Sequence, residues 1–168
     1  TKMSEKDDEV EIIHRINHLK RKVVADTKRA SMLGEGRIDP DAIERAQAVI
    51  DDSQDEYLDE VESIFGDLTK AWSELKSGEH QAVNQVQVYS NRITDLASTY
   101  GFDLMRYFSK SLRDFSERID IANKNHITIG QAHLDVMMIT VHEKIKEEDA
   151  PKAEELKAVL DQAIKKYG

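Results

Sequence analysis

Between Asp39 and Gly78 apolar residues return at helical intervals: Ile43, Ala46, Ile50, Tyr57, Val61, Ile64, Leu68, Trp72 and Leu75. Positions three and four apart share one face of an α-helix, so this stripe predicts a single long helix, or two with a bend near Ser53. Asp39-Pro40 marks its start, because aspartate accepts from free N–H groups and proline suits the first helical position. A second stripe of Val83, Val86, Tyr89, Ile93, Leu96, Ala97 and Tyr100 predicts a helix from about His80 to Tyr100, broken by Gly101. A third predicted helix runs from Phe102 to about Ala122, with Leu104, Met105, Phe108, Leu112, Phe115 and Ile119 inward. After the turn NKNHI, Thr128 and Gln131 have the spacing of a capping box. They predict a fourth helix reaching about Glu148, apolar nearly all round from Val136 to Val141 and hence well buried. Pro151 opens a fifth, with Leu156, Val159, Leu160, Ala163, Ile164 and Tyr167.

Ahead of these lie a charged stretch and then Val10, Ile12, Ile13, Ile16, Leu19 and Val23, spaced as a short amphipathic helix over 10–24. The main domain or a second chain would cover that stripe, the latter giving a homodimer through the N-terminal arm. Residues 25–38, with Gly34 and Gly36 among small and charged residues, read as a linker. No stretch alternates with the period of a strand. The predicted fold is all-α: an antiparallel up-and-down four-helix bundle over 39–168 with an additional C-terminal helix, preceded by a helical arm and linker over 1–38.

Charge narrows the partners. The 168 residues carry a net charge of −9, which argues against a nucleic-acid binder and an anionic membrane surface and favours a basic partner surface. The chain has no cysteine, so disulfides, thiolate metal sites and cysteine nucleophiles are ruled out. The first 22 residues hold no apolar run long enough for a signal peptide or a membrane span, and cytoplasm is the expected compartment.

Candidate chemistry is sparse. Glycine-rich phosphate loops and a His-Glu-x-x-His zinc helix are absent. Glu11, His14 and His18 share a face if 10–24 is helical, but one Glu-x-x-His copy falls short of the ligands a di-iron bundle needs. No metal or cofactor is therefore expected. His133 on the fourth helix reads as a hydrogen-bonded, partly buried side chain, His142 lies on the same helix, and His80 sits at the start of the second. The acidic run from Asp51 to Glu62 reads as a solvated helix face.

The second helix presents a more specific pattern. Asn84, Gln87, Asn91, Thr94, Asp95 and Ser98 step by three and four, opposite Val86, Tyr89, Ile93 and Tyr100. That spacing predicts an exposed Asn91 near mid-helix, with Thr94 and Asp95 one turn on. Here the chain resembles the histidine-containing phosphotransfer (HPt) domains. In that family an exposed histidine on the second helix of an antiparallel four-helix bundle exchanges a phosphoryl group with response-regulator receiver domains. The family motif is Ala-His-x-Leu-Lys-Gly, five residues, then Gly. With the last glycine at Gly101, the histidine position falls on Asn91, the preceding small residue on Ser90, the leucine on Ile93, the lysine on Thr94 and the first glycine on Asp95. RIDPDAIERAQAVI is similar to the start of the first bundle helix of a bacterial HPt-like group, and QAHLDVMMITVHEKIK to its fourth helix; the resemblance spans about residues 17–165.

The departures decide what the resemblance implies. Phosphotransfer needs an imidazole nitrogen as nucleophile and leaving group, and the Asn91 amide has no comparable lone pair. Thr94 carries no charge to hold a phosphoryl group. Asp95 adds bulk and a negative charge where a receiver's carboxylates would dock, unless a metal ion or a basic residue such as Arg92 compensates. The implied protein is a degenerate member, a pseudo-phosphotransferase that is not an enzyme. It would bind a receiver domain or a histidine kinase of a bacterial two-component system through Gln87, Val88, Asn91, Arg92, Thr94, Asp95 and Ser98, without carrying phosphate. Two alternatives stand beside it: an active phosphotransfer protein using His80, His133 or His142, and a structural or oligomeric helical protein unrelated to signalling.

Overall fold

The computed structural model describes residues 39–168. The described chain is all-helical: α1 (Pro40–Lys76), α2 (Ala82–Tyr100), α3 (Asp103–Ser116), α4 (Lys124–His142) and α5 (Pro151–Tyr167). The arm predicted over 10–24, the linker over 25–38, and the Glu11, His14 and His18 constellation lie outside these residues.

α1 is one continuous helix of 37 residues, so the bend considered near Ser53 is not needed. Asp39 starts it as expected: its Oδ1 accepts from the Asp41 N–H at 3.1 Å. The chain divides into two compact units at Asp52/Ser53. In the first, the described residues are the opening turns of α1, none of them buried, with Val49 67% exposed. The second, from Ser53 on, holds the hydrophobic core.

Inside that second unit the pairing of helices follows from which residues meet. On α2 and α3, Thr94 meets Ser109 and Asn91 meets Arg113, so numbers rise on one helix as they fall on the other. On α3 and α4, Ser111 meets His133 and Phe115 meets His126, again antiparallel. Tyr57 of α1 stacks on Phe102 at 3.8 Å between ring centres, with Lys146 Nζ (just past α4) 5.4 Å from the centre of the same Phe102 ring, while Trp72 reaches Gln131. α1 therefore runs opposite to α4. α5 packs against α4. Successive helices alternate in direction around one core centred on Tyr57, Leu68, Trp72, Ile93, Phe108, Leu112, Met137 and Leu160.

The ends of the elements depart from the sequence reading in three places. α3 stops at Ser116 rather than near Ala122, and Ile119 lies half-buried in the connection that follows. α4 begins at Lys124, not after Thr128: Asn123 is its cap, accepting from the Asn125 N–H at 2.9 Å. Thr128 instead donates to the Lys124 carbonyl inside the helix, and Gln131 accepts from Trp72 Nε1 at 3.0 Å and Lys76 Nζ at 3.1 Å, tying α4 to α1. The capping-box spacing is met here by two residues engaged elsewhere. α4 ends at His142, before Glu148, because Lys144 takes φ 54° and the Ile145 N–H returns to the Thr140 carbonyl. A lysine in that conformation gives no sequence signal, whereas glycine would have. Two apolar residues expected inward, Val159 on α5 and Met138 on α4, are 54% and 45% exposed.

Gly101 shows what its sequence position requires. Its φ of 76° is left-handed, and the Phe102 N–H closes on the Ala97 carbonyl at 2.9 Å. This tight closure, which favours glycine, folds α3 back along α2 within two residues.

Candidate functional site

The α2–α3 contact is close because small polar residues line it. Ser90 and Ser109 are fully buried, and each hydroxyl is satisfied first by its own helix: Ser90 Oγ donates to the Val86 carbonyl and Ser109 Oγ to the Arg106 carbonyl. Thr94 joins them. Its Oγ1 donates to the Ser90 carbonyl at 2.9 Å and lies 2.8 Å from Ser109 Oγ. Thr94 is thus buried at the helix interface, not exposed as its spacing suggested. The physical reason is that α3 packs to one side of the polar stripe, where Ser109 Oγ gives Thr94 a polar neighbour in place of water.

The other predicted site residues divide by exposure. Asn91, Arg92, Asp95, Ser98 and Val88 are exposed, Val88 at 50%, and Gln87 is half-buried. Arg92 extends over the Tyr89 ring, 5.9 Å from its centre. Asn91 is held from across the groove: Arg113 Nη1 donates to its Oδ1 at 3.0 Å, while Nε and Nη2 of the same guanidinium donate to Asp114 Oδ1 at 3.3 and 3.1 Å. That fork fixes the plane of a guanidinium whose side chain is 33% exposed.

The antiparallel register extends this pairing. Asn91 faces Arg113; one turn on, Thr94 lies opposite Ser109 and Lys110; a further turn on, Ser98 comes level with Arg106. Thr94, Ser98, Arg106, Lys110 and Arg113 border one open cleft of about 820 Å³ along α3. Arg106, Lys110 and Arg113 follow at four and three residues, so they form a single stripe on the outer side of α3. Sequence reading placed the site on α2 alone and missed these cations. Their spacing was legible, but only the fold sets them opposite Asn91. They place positive charge along the cleft in a chain whose net charge is −9.

The cleft continues past Ser111 to His133. His133 is completely buried; its Nδ1 lies 2.8 Å from the Ile129 carbonyl and its Nε2 2.8 Å from Ser111 Oγ. A carbonyl only accepts, so Nδ1 carries the proton and Nε2 accepts from the serine hydroxyl. Burial lowers the imidazole pKa to about 4, against the raising effect of the Ile129 hydrogen bond and reinforced by the Arg118 charge. The ring also stacks on Phe115. The partly buried histidine expected from sequence is in fact fully enclosed, with both nitrogens engaged and none presented to a phosphoryl donor. His80, in the turn before α2, and His142, at the end of α4, are exposed and away from any mid-helix position.

Among the described residues no group of three or more histidine, aspartate or glutamate side chains is placed to hold a metal ion, and no helix is long and apolar enough to cross a membrane. Comparison of the chain with protein-family models, characterised proteins and solved structures found no match.

Proposed function

We propose that this chain is an HPt-like, non-catalytic interaction module of bacterial two-component signalling, cytoplasmic, which docks a receiver domain or a histidine kinase through the α2–α3 groove without carrying phosphate. In this reading α1 to α4 are the bundle and α5 the added helix. The observation that carries it is the Asn91–Arg113 pair. An exposed mid-helix residue, at the position the family gives its histidine, has a fixed guanidinium beside it and Lys110 one turn away. A receiver's active site is a cluster of carboxylates, and a basic groove attracts and orients such a surface. Val88, exposed one turn before Asn91 on the same helix, offers apolar area near it. With an amide in place of imidazole, the groove binds without forming a phosphoramidate. The module then acts as a competitor, scaffold or allosteric regulator.

The test is binding of the purified chain to the receiver domains and histidine kinases of its source organism, with acid-labile phosphate measured on the chain after incubation with phosphorylated receivers. Saturable binding with no phosphate transferred is expected. A stable phosphohistidine on the unaltered chain would overturn the proposal. The single change Asn91→His is expected to leave transfer absent, because Thr94 is buried and supplies no cation from α2 and Asp95 remains.

A further inference from the structure

The opening turns of α1 carry an apolar face that takes no part in the core. Ala42, Ile43, Ala46, Val49 and Ile50 recur at helical intervals and share one side of the helix. None is buried, Val49 is 67% exposed and Ile50 37%, and none packs against the core cluster. Taking such a face out of water is favourable in proportion to its area, so the face suits a partner. Its surroundings are acidic. Asp39, Asp41, Glu44, Asp51 and Asp52 are all exposed in the same stretch. The one cation there, Arg45, is paired with Asp39 at 3.7 Å. Among the described residues Asp41, Glu44 and Asp52 have no ion-pair partner. A second copy of the same face would set acid against acid, which is repulsive. The face calls for an occupant that is apolar on one side and basic beside it.

Residues 10–24 of the same chain have that chemistry. Ile12, Ile16, Leu19 and Val23 repeat at four, three and four residues, the seam spacing of paired helices. Arg15, Lys20, Arg21 and Lys22 outnumber the one acid, Glu11. The lengths agree as well: at about 1.5 Å per residue, a helix over 10–24 spans about 22 Å and the stretch from Pro40 to Asp52 about 20 Å. The tether favours the chain's own arm over a neighbour's. A flexible linker over 25–38 has a root-mean-square span of about 20 Å, enough to close an antiparallel pair. It holds the arm at a millimolar effective concentration, which a second copy in dilute solution does not match. We propose that residues 10–24 dock as a helix, antiparallel to α1, on the face from Ala42 to Ile50. Ile16 then meets Ile50, Leu19 meets Ala46 and Val23 meets Ile43. The same register brings Lys22 level with Glu44 and Arg15 level with Asp51, so charge and apolar contact agree. The inference stands whether or not the chain docks a receiver.

The chain has no cysteine, so a pair introduced into the full chain reports proximity without interference. Leu19→Cys with Ala46→Cys is oxidised at low micromolar concentration and followed by non-reducing electrophoresis and peptide mass spectrometry. Ile12→Cys with Ile43→Cys, level only if the two helices were parallel, is the comparison. The first pair should close within one chain about tenfold or more faster than the second. Adding Ile50→Asp to the first pair should remove most of that advantage, and adding Glu44→Lys with Asp51→Lys should reduce it. Circular dichroism checks that each variant keeps its helices. Amide hydrogen exchange on the unaltered chain needs no variant at all, and residues 16–23 should exchange about tenfold or more slowly than an unstructured peptide. Equal closure of the two pairs, or exchange of residues 16–23 at the unstructured rate, overturns the inference. So does faster closure of the second pair, which would make the helices parallel. Disulfide-linked dimers in excess over closed monomers would overturn it in favour of a neighbour's arm.

Discussion

At the scale of single residues, burial separates positions that spacing had grouped together. Thr94 and Asp95 are neighbours on a stripe read as exposed, yet the first is buried against Ser109 and the second lies in solvent. Thr94→Val tests that placement. It removes the hydroxyl but leaves Ser109 Oγ with the Arg106 carbonyl, so a loss of about 1 kcal/mol in urea unfolding is expected. No change would show that the threonine faces water. His133 gives a pH signature. Its folded pKa, near 4, lies below the ordinary histidine value, so the unfolded chain takes up a proton first as pH falls. Stability contributed by the neutral imidazole is complete above about pH 6.5 and is lost as pH drops towards 4, by about 3 kcal/mol across that window. His133→Gln should flatten the dependence between pH 6.5 and 4, measured by urea midpoints at several pH values; an unchanged slope would assign it to other groups.

At the scale of elements, the helices owe their positions to a few cross-contacts. α4 meets α1 where Gly130 leaves room for the Trp72 indole, and Gln131 then accepts from Trp72 Nε1. A Cβ on Gly130 would collide with the indole ring. Gly130→Ala gains helix propensity but forces the largest side chain of the core to move, and overpacking outweighs propensity. A net loss of about 1–3 kcal/mol in chemical denaturation is expected, with a red-shifted or broadened Trp72 fluorescence as the buried indole is displaced; Trp72 is the chain's one tryptophan, so the signal is unambiguous. A gain in stability would mean that α1 and α4 can separate at no cost. Helix interiors were legible from the apolar period alone. Their ends were not, since Asn123 and Thr128 both have capping chemistry and only the packing of α4 on α1 engages Gln131 elsewhere.

At the scale of the whole molecule, an acidic chain displays a basic groove. Net charge of −9 suggests a basic partner, whereas the local stripe of Arg106, Lys110 and Arg113 suits an acidic one. In the proposed docking the groove acts at contact, and the acidic remainder acts over longer range. At about 0.01 M salt the screening length is roughly 30 Å and falls to about 8 Å at 0.15 M. The proposed receiver docking through the groove should weaken as sodium chloride rises at constant pH, read as the dissociation constant, because the contact between the groove's cations and an acidic partner is screened. Binding that strengthens with salt would show that the acidic remainder dominates the encounter.

What the sequence by itself determined was the class of structure and the inner faces of its helices. Burying apolar area is the main driving force for folding, and a helical period repeated from Tyr57 to Ile164 has one economical solution, whereas Ile43, Ala46 and Ile50 continue the stripe without being buried. It also determined the break at Gly101, because a left-handed residue strongly favours glycine, and the exposure of Asn91. Tertiary structure alone decided which face of α2 meets α3. The residues that settle it, Ser90, Thr94 and Ser109, are short, polar and able to bond to their own helix, so they suit a buried interface or open water equally well. That choice buried Thr94, set Arg113 against Asn91, and assembled a groove from two helices whose separate patterns carried no sign of each other.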